Sequence, residues 1–371
     1  MQTKSSLGRV GRPAPAAAAP VALGVRFAQL YRARAGFPRR SPILHDPSFL
    51  GLGFESWTLD GESGPLPAWW IPATTRDGRP RKRPVPAVVL VHGWESARDR
   101  TLPNAAFLHA AGFHVLTFDV RGHGVNPAEA LPITAGEFGA DALAAVRALR
   151  RRADVSAVAI LGHSLGAIGA LLAAAADPTV AAVVATSTPS DPLRLTRETF
   201  RIAHLPIPGA VAWPLAWITA RVFVEPRGHR LADISAAGAV ARYAGPLLLV
   251  HGSEDDVMPV RHMAHLEAAA QRARAGDPAA APVETLVVEG GWHSWLYESS
   301  AYRATIALFL ARLPGAPLDA DAAAAAAVAV DARRLPGNDD PFAMPWIDSE
   351  ADSPGALGAP LAAAVPSDAA D

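Results

Sequence analysis

A serine within residues 155–177 lies where an apolar run meets an Ala-rich stretch, inside the pentapeptide GHSLG at residues 162–166. This order predicts a strand, a sharp turn and a helix, with Ser164 at the turn. The flanking glycines let the strand and the helix approach closely, and strained backbone geometry would lift the hydroxyl above the sheet. A helix beginning at the serine offers N–H groups and a positive dipole to a developing oxyanion. Ser164 is therefore a candidate nucleophile for acyl transfer.

A base and an acid for this serine follow two later apolar runs. The segment VVEGGWH at residues 287–293 ends in His293, which is then placed to take the serine proton. The segment LLLVHGSEDDVMP at residues 247–259 carries Asp255 and Asp256 just past its apolar run. A carboxylate at that position accepts a hydrogen bond from an imidazole, selects its tautomer and stabilises its charged form. The chain order is therefore serine, aspartate, histidine, with either Asp255 or Asp256 as the acid.

A third segment completes the predicted site. The run VVLV at residues 88–91 ends in His-Gly-Trp. A loop at this position supplies a backbone donor to an oxyanion, here the N–H of Trp94 beside that of Leu165. All four segments come at the carboxyl end of a predicted strand, which makes a chance arrangement a poor explanation.

The elements that must position these residues alternate between strand and helix. Residues 54–60 and 68–71 alternate like an antiparallel hairpin joined by GESGPLP. Beyond them the predicted strands are continuous apolar runs, typical of a parallel sheet covered on both faces and hence of a three-layer α/β domain. These strands are expected at 86–91, 114–119, 155–161, 180–186, 246–251 and 284–289. Helices are expected near 101–111, 136–152, 165–176, 260–275 and 301–312.

The remaining segments define the predicted domain organisation. We expect a disordered N-terminus (1–20), a helical or extended arm packed on the domain (21–48), the α/β domain (49–313) and a disordered Ala/Pro/Asp-rich tail (314–371). An insertion at about 190–244 predicts a helical cap over the carboxyl ends of the strands, where ligands bind. The apolar patch PFAMPWIDSE at 341–350 is either a docking peptide or without a role.

Composition narrows the class of partner. The 34 basic and 35 acidic residues nearly cancel, so nothing favours nucleic acid as a partner. The absence of cysteine excludes disulfides, zinc-thiolate sites and thiol catalysis. The stretch 14–30 lacks a sustained apolar core for a signal peptide, and no run is long enough to span a membrane. We therefore predict a cytoplasmic protein without stable membrane insertion.

These motifs resemble those of the α/β-hydrolase superfamily from about residue 49 to residue 313. Within it, the chain is most similar to bacterial serine hydrolases of the dienelactone-hydrolase and prolyl-oligopeptidase-like branch. The resemblance is carried by LDGESGPLPAWWIPA (59–73), HGW (92–94), FDVRGHG (118–124), GHSLG (162–166), HGSEDDVMP (251–259) and GGWH (290–293). It implies a three-layer α/β-hydrolase fold, with a mostly parallel central sheet, helices on both faces and a small helical cap.

The resemblance also implies an activity and assigns the acid. In the family pattern HGxxDxxxP the acid is the fourth residue after the histidine, which is Asp255, with Asp256 as the alternative. We expect a serine hydrolase that cleaves a small carboxylic ester through an acyl-enzyme, with no metal or cofactor. A serine nucleophile argues against the epoxide-hydrolase and dehalogenase branches. A peptidase, an acyltransferase or a non-catalytic interaction module remain as alternatives, and the oligomeric state stays open.

Other chemically competent residues have structural interpretations. His92 and His163 are expected to pack and hydrogen-bond around the site, and Asp119, Arg121 and His123 to brace the strand that ends at His92. His262 and His265, three apart on a predicted helix, could suggest a metal site, but without a carboxylate or cysteine partner a solvated helix face is favoured. The tryptophans of the insertion, Trp213 and Trp217, could be core or line an acyl pocket.

Overall fold

The computed structural model describes residues 18–338 except 76, 204 and 206. Within these residues one sheet of eight strands forms the centre of the molecule. The strands are β1 (Glu55–Gly61), β2 (Gly64–Ile71), β3 (Val85–Val91), β4 (His114–Phe118), β5 (Val155–His163), β6 (Ala182–Thr186), β7 (Leu247–Gly252) and β8 (Val283–Val288). The six strands from β3 to β8 start and end within about two residues of their predicted positions.

The sheet is parallel except at one edge. Its strand order is β1-β2-β4-β3-β5-β6-β7-β8. Strand β1 pairs antiparallel with β2, and β2 pairs antiparallel with β4, whereas the pairs from β4 to β8 are parallel. Every residue of β3, β4, β6 and β7 is buried, as the continuous apolar runs predicted. The hairpin differs in one respect, since β2 begins at Gly64 and leaves only residues 62 and 63 in the turn.

Helices cover both faces of this sheet. The described helices are α1 (Ala18–Ala35), α2 (Leu102–Ala110), α3 (Ala135–Arg150), α4 (Leu165–Ala176), α5 (Pro192–Ile202), α6 (Gly209–Val224), α7 (Ala236–Arg242), α8 (Arg261–Arg274), α9 (Ser300–Leu310) and α10 (Ala320–Val328). One core lies between the sheet and α3, α4, α7 and α8. The second core lies between the opposite face and α2, α9 and α10. The predicted three-layer α/β fold is confirmed.

The cap is built from two parts of the chain. Helices α5 and α6 lie between β6 and β7, inside the predicted insertion. Helix α1 packs on them through an aromatic cluster, in which the Tyr31 ring lies 5.4 Å from that of Phe200 and 5.6 Å from that of Phe223. The Tyr31 hydroxyl also hydrogen-bonds to Thr199 of α5. The N-terminal arm is therefore helical here and forms one wall of the cap.

The expectation of disorder from residue 314 is wrong for residues 314–338. Asp319 accepts a hydrogen bond from the Ala322 N–H at 2.8 Å and begins α10. At the other end of α10, Arg303 of α9 donates to the carbonyl oxygens of Ala327 (3.2 Å) and Val328 (3.3 Å). Methyl side chains let α10 pack closely on α9 and α2, so a helix made almost entirely of alanine still forms core. Residues 1–17 and 339–371, including the patch at 341–350, lie outside the described residues.

Candidate active site

Ser164 occupies a strained turn between β5 and α4. Its backbone angles are φ 53° and ψ −120°, a combination that residues with a side chain rarely adopt. The Ser164 N–H donates to the Thr186 carbonyl of the neighbouring strand at 2.9 Å, which holds the turn against the sheet. Contacts with the neighbouring strand therefore hold the strained conformation in place, and the hydroxyl lies at the carboxyl edge of the sheet.

The two glycines of GHSLG allow this close approach. A Cβ added to Gly162 would overlap the Gly166 carbonyl and the backbone of Ala167. A Cβ added to Gly166 would overlap the carbonyl oxygens of Val91 and His92 at the end of β3. Neither glycine has a positive φ, so close packing of β3, β5 and α4 explains why glycine is needed at both positions.

The structure brings Ser164, His293 and Asp255 into one hydrogen-bonded chain. The Ser164 Oγ lies 3.1 Å from Nε2 of His293. The other ring nitrogen of His293, Nδ1, lies 2.8 Å from Oδ2 of Asp255. All three residues are at least 94% buried. With Nδ1–H donated to the carboxylate, Nε2 carries the lone pair that faces the serine hydroxyl.

His293 is held through its backbone as well as its ring. It follows β8 on the loop that contains Gly290 and Gly291, and Gly290 has a φ of 68°. The Ser187 hydroxyl donates to the His293 carbonyl at 2.9 Å. Ser187 in turn follows β6 with a φ of 50° and donates its N–H to the Val250 carbonyl at 2.9 Å. Strained backbone after β6 thus anchors the loop that carries the imidazole.

The structure distinguishes the two candidate acids. Oδ1 of Asp255 accepts the N–H groups of Val257 (3.1 Å) and Met258 (2.7 Å), which turns Oδ2 toward His293. Burial alone would raise the pKa of Asp255, but His293 and His251 outweigh it and hold that pKa below its ordinary value. Asp256 is exposed to solvent. Asp255, the predicted acid, is the carboxylate that meets the imidazole.

His251 is a partner of the acid that sequence reasoning did not single out. Its Nε2 lies 2.5 Å from the Met258 carbonyl and 3.3 Å from Oδ2 of Asp255. The signal was present in the chain, because His251 is the first residue of the HGSEDDVMP motif. A buried imidazole four residues before the acid therefore fixes the loop that presents the carboxylate.

Trp94 and Leu165, the predicted backbone donors, lie on two segments next to Ser164. Leu165 is the first residue of α4, so its N–H belongs to the helix turn that has no intrahelical acceptor. Trp94 follows Gly93, where an added Cβ would lie 3.4 Å from the Ser164 Cβ. Both residues line the cavity that opens on Ser164. The two segments that carry the candidate oxyanion donors therefore meet at the serine.

His92 and His163 adopt the supporting positions that were predicted. Nε2 of His92 accepts the Val120 N–H at 3.1 Å, which ties the loop after β3 to the loop after β4. His163 hydrogen-bonds through Nδ1 to the Thr186 hydroxyl at 3.2 Å, and its ring lies 5.0 Å from that of His293. Burial, followed by the charge of His293, lowers the pKa of His163 to about 3. His163 therefore stays neutral beside the imidazole of His293.

The FDVRGHG segment braces the loop after β3. Asp119 accepts the Arg98 N–H at 2.8 Å and pairs with its guanidinium at 2.6 Å. Arg121 pairs with Asp141 of α3. The ring of His123 lies 5.3 Å from that of Trp94. The bracing interpretation agrees with the structure for Asp119 and His123, whereas Arg121 ties the segment to α3.

An apolar cavity of about 130 Å³ lies between the cap and α4 and opens on Ser164. No charged side chain is among the described residues that line it. Tyr31 and Ala35 of α1 and Phe223 of α6 contribute to its wall. The contribution of α1 was missed, because the chain offers no local sign that this helix packs on the cap. The site can accept an apolar group next to the serine hydroxyl.

Trp213 and Trp217 neither line this cavity nor belong to the core, so both interpretations of the sequence are wrong. They are 41% and 48% exposed on the outer face of α6. Arg197 stacks on Trp213 at 4.2 Å and Arg221 on Trp217 at 4.8 Å. The helix turns its smaller residues inward, and the tryptophans pack against guanidinium groups instead.

The solvated helix face expected for His262 and His265 is correct only for His265. His262 is 1% exposed, and its Nδ1 accepts the Ser190 N–H at 3.1 Å. Its Nε2 lies 3.7 Å from Oε1 of Glu198 on α5, so this histidine links α8 to the cap.

Within the described residues no group of three or more His, Cys, Asp or Glu side chains is arranged to hold a metal. None of the described helices is long and apolar enough to cross a membrane.

Comparisons with known proteins agree with this architecture. The family model for the alpha/beta hydrolase fold matches residues 86–207, which include the loop after β3 and the serine turn. A Mycobacterium tuberculosis protein of uncharacterised function is 30% identical over 263 residues, which are 70% of this chain and 78% of the relative. Esterase EstD of Thermotoga maritima is 43% identical over 94 residues, 23% of each chain.

A solved structure extends the likeness across the fold. The Pyrococcus furiosus esterase Pf2001 superposes with a TM-score of 0.58 at 21% identity, covering 75% of this chain and 98% of the esterase. At this identity the likeness concerns the fold. Four observations agree: the sheet order, the strained serine turn, the matched family model and the relative that aligns over most of its length. The chain belongs to the α/β-hydrolase superfamily.

Proposed function

We propose that this protein is a serine hydrolase that cleaves a carboxylic ester through an acyl-enzyme, with Ser164, His293 and Asp255 as its catalytic residues. The observation that carries the proposal is the hydrogen-bonded chain of these three side chains at the opening of an uncharged, apolar cavity. A hydrolase fold alone would not carry it, because the same fold supports many reactions.

The proposed mechanism follows from the hydrogen bonds of His293. Nε2 takes the proton of Ser164 as Oγ attacks the ester carbonyl, and the N–H groups of Trp94 and Leu165 stabilise the resulting oxyanion. The imidazolium is stabilised by Asp255 and then protonates the departing alcohol. A water molecule next gives its proton to His293 and attacks the acyl-enzyme, which releases the acid and restores the Ser164 hydroxyl.

The lining of the cavity supports an apolar acyl group. Neither a cationic nor an anionic side chain is present in its described wall to recognise a charged acyl chain or a peptide terminus. Phe223 and Ile168 instead offer aromatic and aliphatic surface, whose burial favours hydrocarbon groups. This supports ester hydrolysis above peptide hydrolysis on the same residues.

The deciding experiment is labelling of the purified protein with a fluorophosphonate probe. Wild type is expected to carry the adduct on Ser164 by mass mapping, and Ser164→Ala is expected to carry none. Ser156→Ala, an exposed serine at the start of β5, serves as the matched control and should label like wild type. No adduct on folded wild type, or an adduct that persists in Ser164→Ala, would refute the assignment of the nucleophile.

Substrate class is tested on matched acyl derivatives. p-Nitrophenyl esters and p-nitroanilides of the same acyl chain should differ strongly in kcat/KM in favour of the esters. Faster cleavage of the anilide would favour the peptidase alternative. Transfer of the acyl group to added alcohol in preference to water would favour an acyltransferase.

A further inference from the structure

A second cavity of about 80 Å³ meets the first one at Ser164. Trp94 and Ser164 line both cavities. The wall of the second cavity, called the polar cavity below, carries a larger share of polar surface than the apolar wall of the first. Its described polar lining includes Ser96, Thr101, Asn104, Thr186, Ser294 and Asn338.

Asn338 is the unusual member of this wall. It is only 4% exposed, and its Oδ1 has no hydrogen-bond partner among the described residues. A buried carbonyl oxygen without a donor costs free energy, and such groups in folded proteins are nearly always satisfied. The cavity that this side chain lines is the place where a bound molecule could supply the missing donor.

A tight turn holds Asn338 in this position. The Asn338 N–H donates to the Leu335 carbonyl at 3.1 Å across Pro336 and Gly337, and Gly337 has a φ of 74°. Proline followed by a glycine with positive φ is the signature of a type II turn. His45 donates through Nε2 to the Pro336 carbonyl at 2.8 Å. The turn is thus fixed to a distant part of the chain.

The segment before the turn is anchored to the loop that follows His293. The Arg334 N–H donates to Oε1 of Glu298 at 3.0 Å, and the Arg334 guanidinium stacks on Trp295 at 4.2 Å. Leu335 is 5% exposed and belongs to the core. Trp295 also lines the polar cavity. The segment therefore completes a wall that begins immediately after the imidazole.

The remaining groups indicate an uncharged ligand. The Oδ1 of Asn104 accepts a hydrogen bond from the Tyr302 hydroxyl at 3.1 Å. This bond does not use the NH₂ group of Asn104, which can donate to a ligand. Arg100 also lines the cavity but already has an interaction within the chain. Asn338 supplies an acceptor and Asn104 donors, which together match hydroxyl groups that both donate and accept.

We propose that the polar cavity is the leaving-group subsite and takes a small polyol, with one hydroxyl donating to Oδ1 of Asn338. This rests on the proposed ester hydrolysis at Ser164. The leaving oxygen must receive its proton from His293, and the polar cavity is walled by Ser294 and Trp295, which directly follow that residue. The acyl chain then occupies the apolar cavity, so the substrate class is a polyol ester of an apolar acid.

The test compares two esters of one acid with alcohols of equal length, 1-butyrylglycerol and propyl butyrate. Wild type should have the higher kcat/KM on the glycerol ester. Asn338→Ala should lower kcat/KM on that ester by roughly tenfold, the effect of losing one buried hydrogen bond, and leave propyl butyrate within about twofold. Thr219→Val removes a buried hydroxyl that also lacks a partner among the described residues and lies outside both cavities, and it should change neither rate.

A second measurement needs only the wild-type protein. During hydrolysis of p-nitrophenyl butyrate, an added alcohol competes with water for the acyl group on Ser164: its oxygen bonds to the carbonyl carbon, and its proton passes through His293 to Ser164. Glycerol should capture the acyl group more often than propan-1-ol at equal concentration, and Asn338→Ala should reduce this preference.

Equal loss on both esters in Asn338→Ala, or equal capture by glycerol and propan-1-ol in wild type, would overturn the subsite. Failure of the proposed function has a different signature. In that case wild type would hydrolyse neither ester and Ser164 would not react with fluorophosphonate. If the fluorophosphonate probe labels wild type and wild type hydrolyses propyl butyrate without preferring the glycerol ester, the subsite is refuted and the proposed function stands.

Discussion

Replacing Asp255 with asparagine should nearly abolish activity while leaving the fold intact. Oδ1 of Asp255 accepts two backbone N–H groups, at 3.1 and 2.7 Å. An asparagine must keep its carbonyl oxygen at that position, because its NH₂ group cannot accept these hydrogen bonds. The NH₂ group of the asparagine then takes the place of Oδ2, which in wild type lies 2.8 Å from Nδ1 of His293.

This orientation reverses the tautomer of the imidazole. An NH₂ group donates, so Nδ1 of His293 becomes the acceptor and the proton moves to Nε2. Nε2 then faces Ser164 at 3.1 Å with a hydrogen in place of its lone pair and cannot take the serine proton. Triads with the wrong tautomer lose about 10⁴-fold in kcat, which is about 5 kcal/mol of transition-state stabilisation.

The assay is kcat/KM on p-nitrophenyl butyrate, accompanied by thermal unfolding. Asp256→Asn is the matched control, since it makes the same chemical change one residue away on an exposed side chain, and it should stay within about twofold of wild type. More than about a tenth of wild-type activity in folded Asp255→Asn would refute the tautomer argument. A large loss in Asp256→Asn instead would refute the assignment of the acid.

Two further results are expected. Gly166→Ala should reduce both activity and melting temperature, since its Cβ would overlap two carbonyl oxygens of β3 and its following loop, whereas Gly24→Ala, where a Cβ meets nothing within 4 Å, should reduce neither. Burial lowers the pKa of His123 from 6.5 to about 3, so the unfolded chain binds a proton that the folded protein refuses. The stability that this provides is complete above about pH 6.5 and is lost toward pH 3, by about 2 kcal/mol between pH 7 and pH 5. Urea unfolding at these two pH values should show a smaller fall in His123→Phe, and an unchanged fall would contradict the assignment.

Much of the site was predictable because its determinants are local. The serine turn is specified by residues within five positions, since only glycines permit the approach of β5, α4 and β3 around Ser164. The strands of the parallel sheet are continuous apolar runs, and both faces of those strands are buried. Asp255 and His293 could be assigned to the site because each comes directly after such a strand, at the shared carboxyl edge of the sheet.

Other features depend on three-dimensional contacts that no local pattern reports. The residue types leave Asp255 and Asp256 equal as candidates for the acid, and the resemblance that favours Asp255 gives no physical reason. The backbone N–H groups that bind Oδ1 of Asp255 supply that reason. Tyr31 meets Thr199 across 168 positions of the chain, so the wall that α1 adds to the apolar cavity was not foreseeable.

The C-terminal segment is the clearest case of a decision made by tertiary structure. Composition predicted disorder from residue 314, because alanines bury little apolar surface on their own. In the folded protein Arg303 binds the end of α10, and His45, 291 positions away, holds the turn that carries Asn338. The sequence by itself determined which residues are the candidates for nucleophile, base and acid and which strands align them, through spacing and local backbone geometry. Only the tertiary structure decided which surfaces surround the serine, because those surfaces exist only where separate parts of the chain meet.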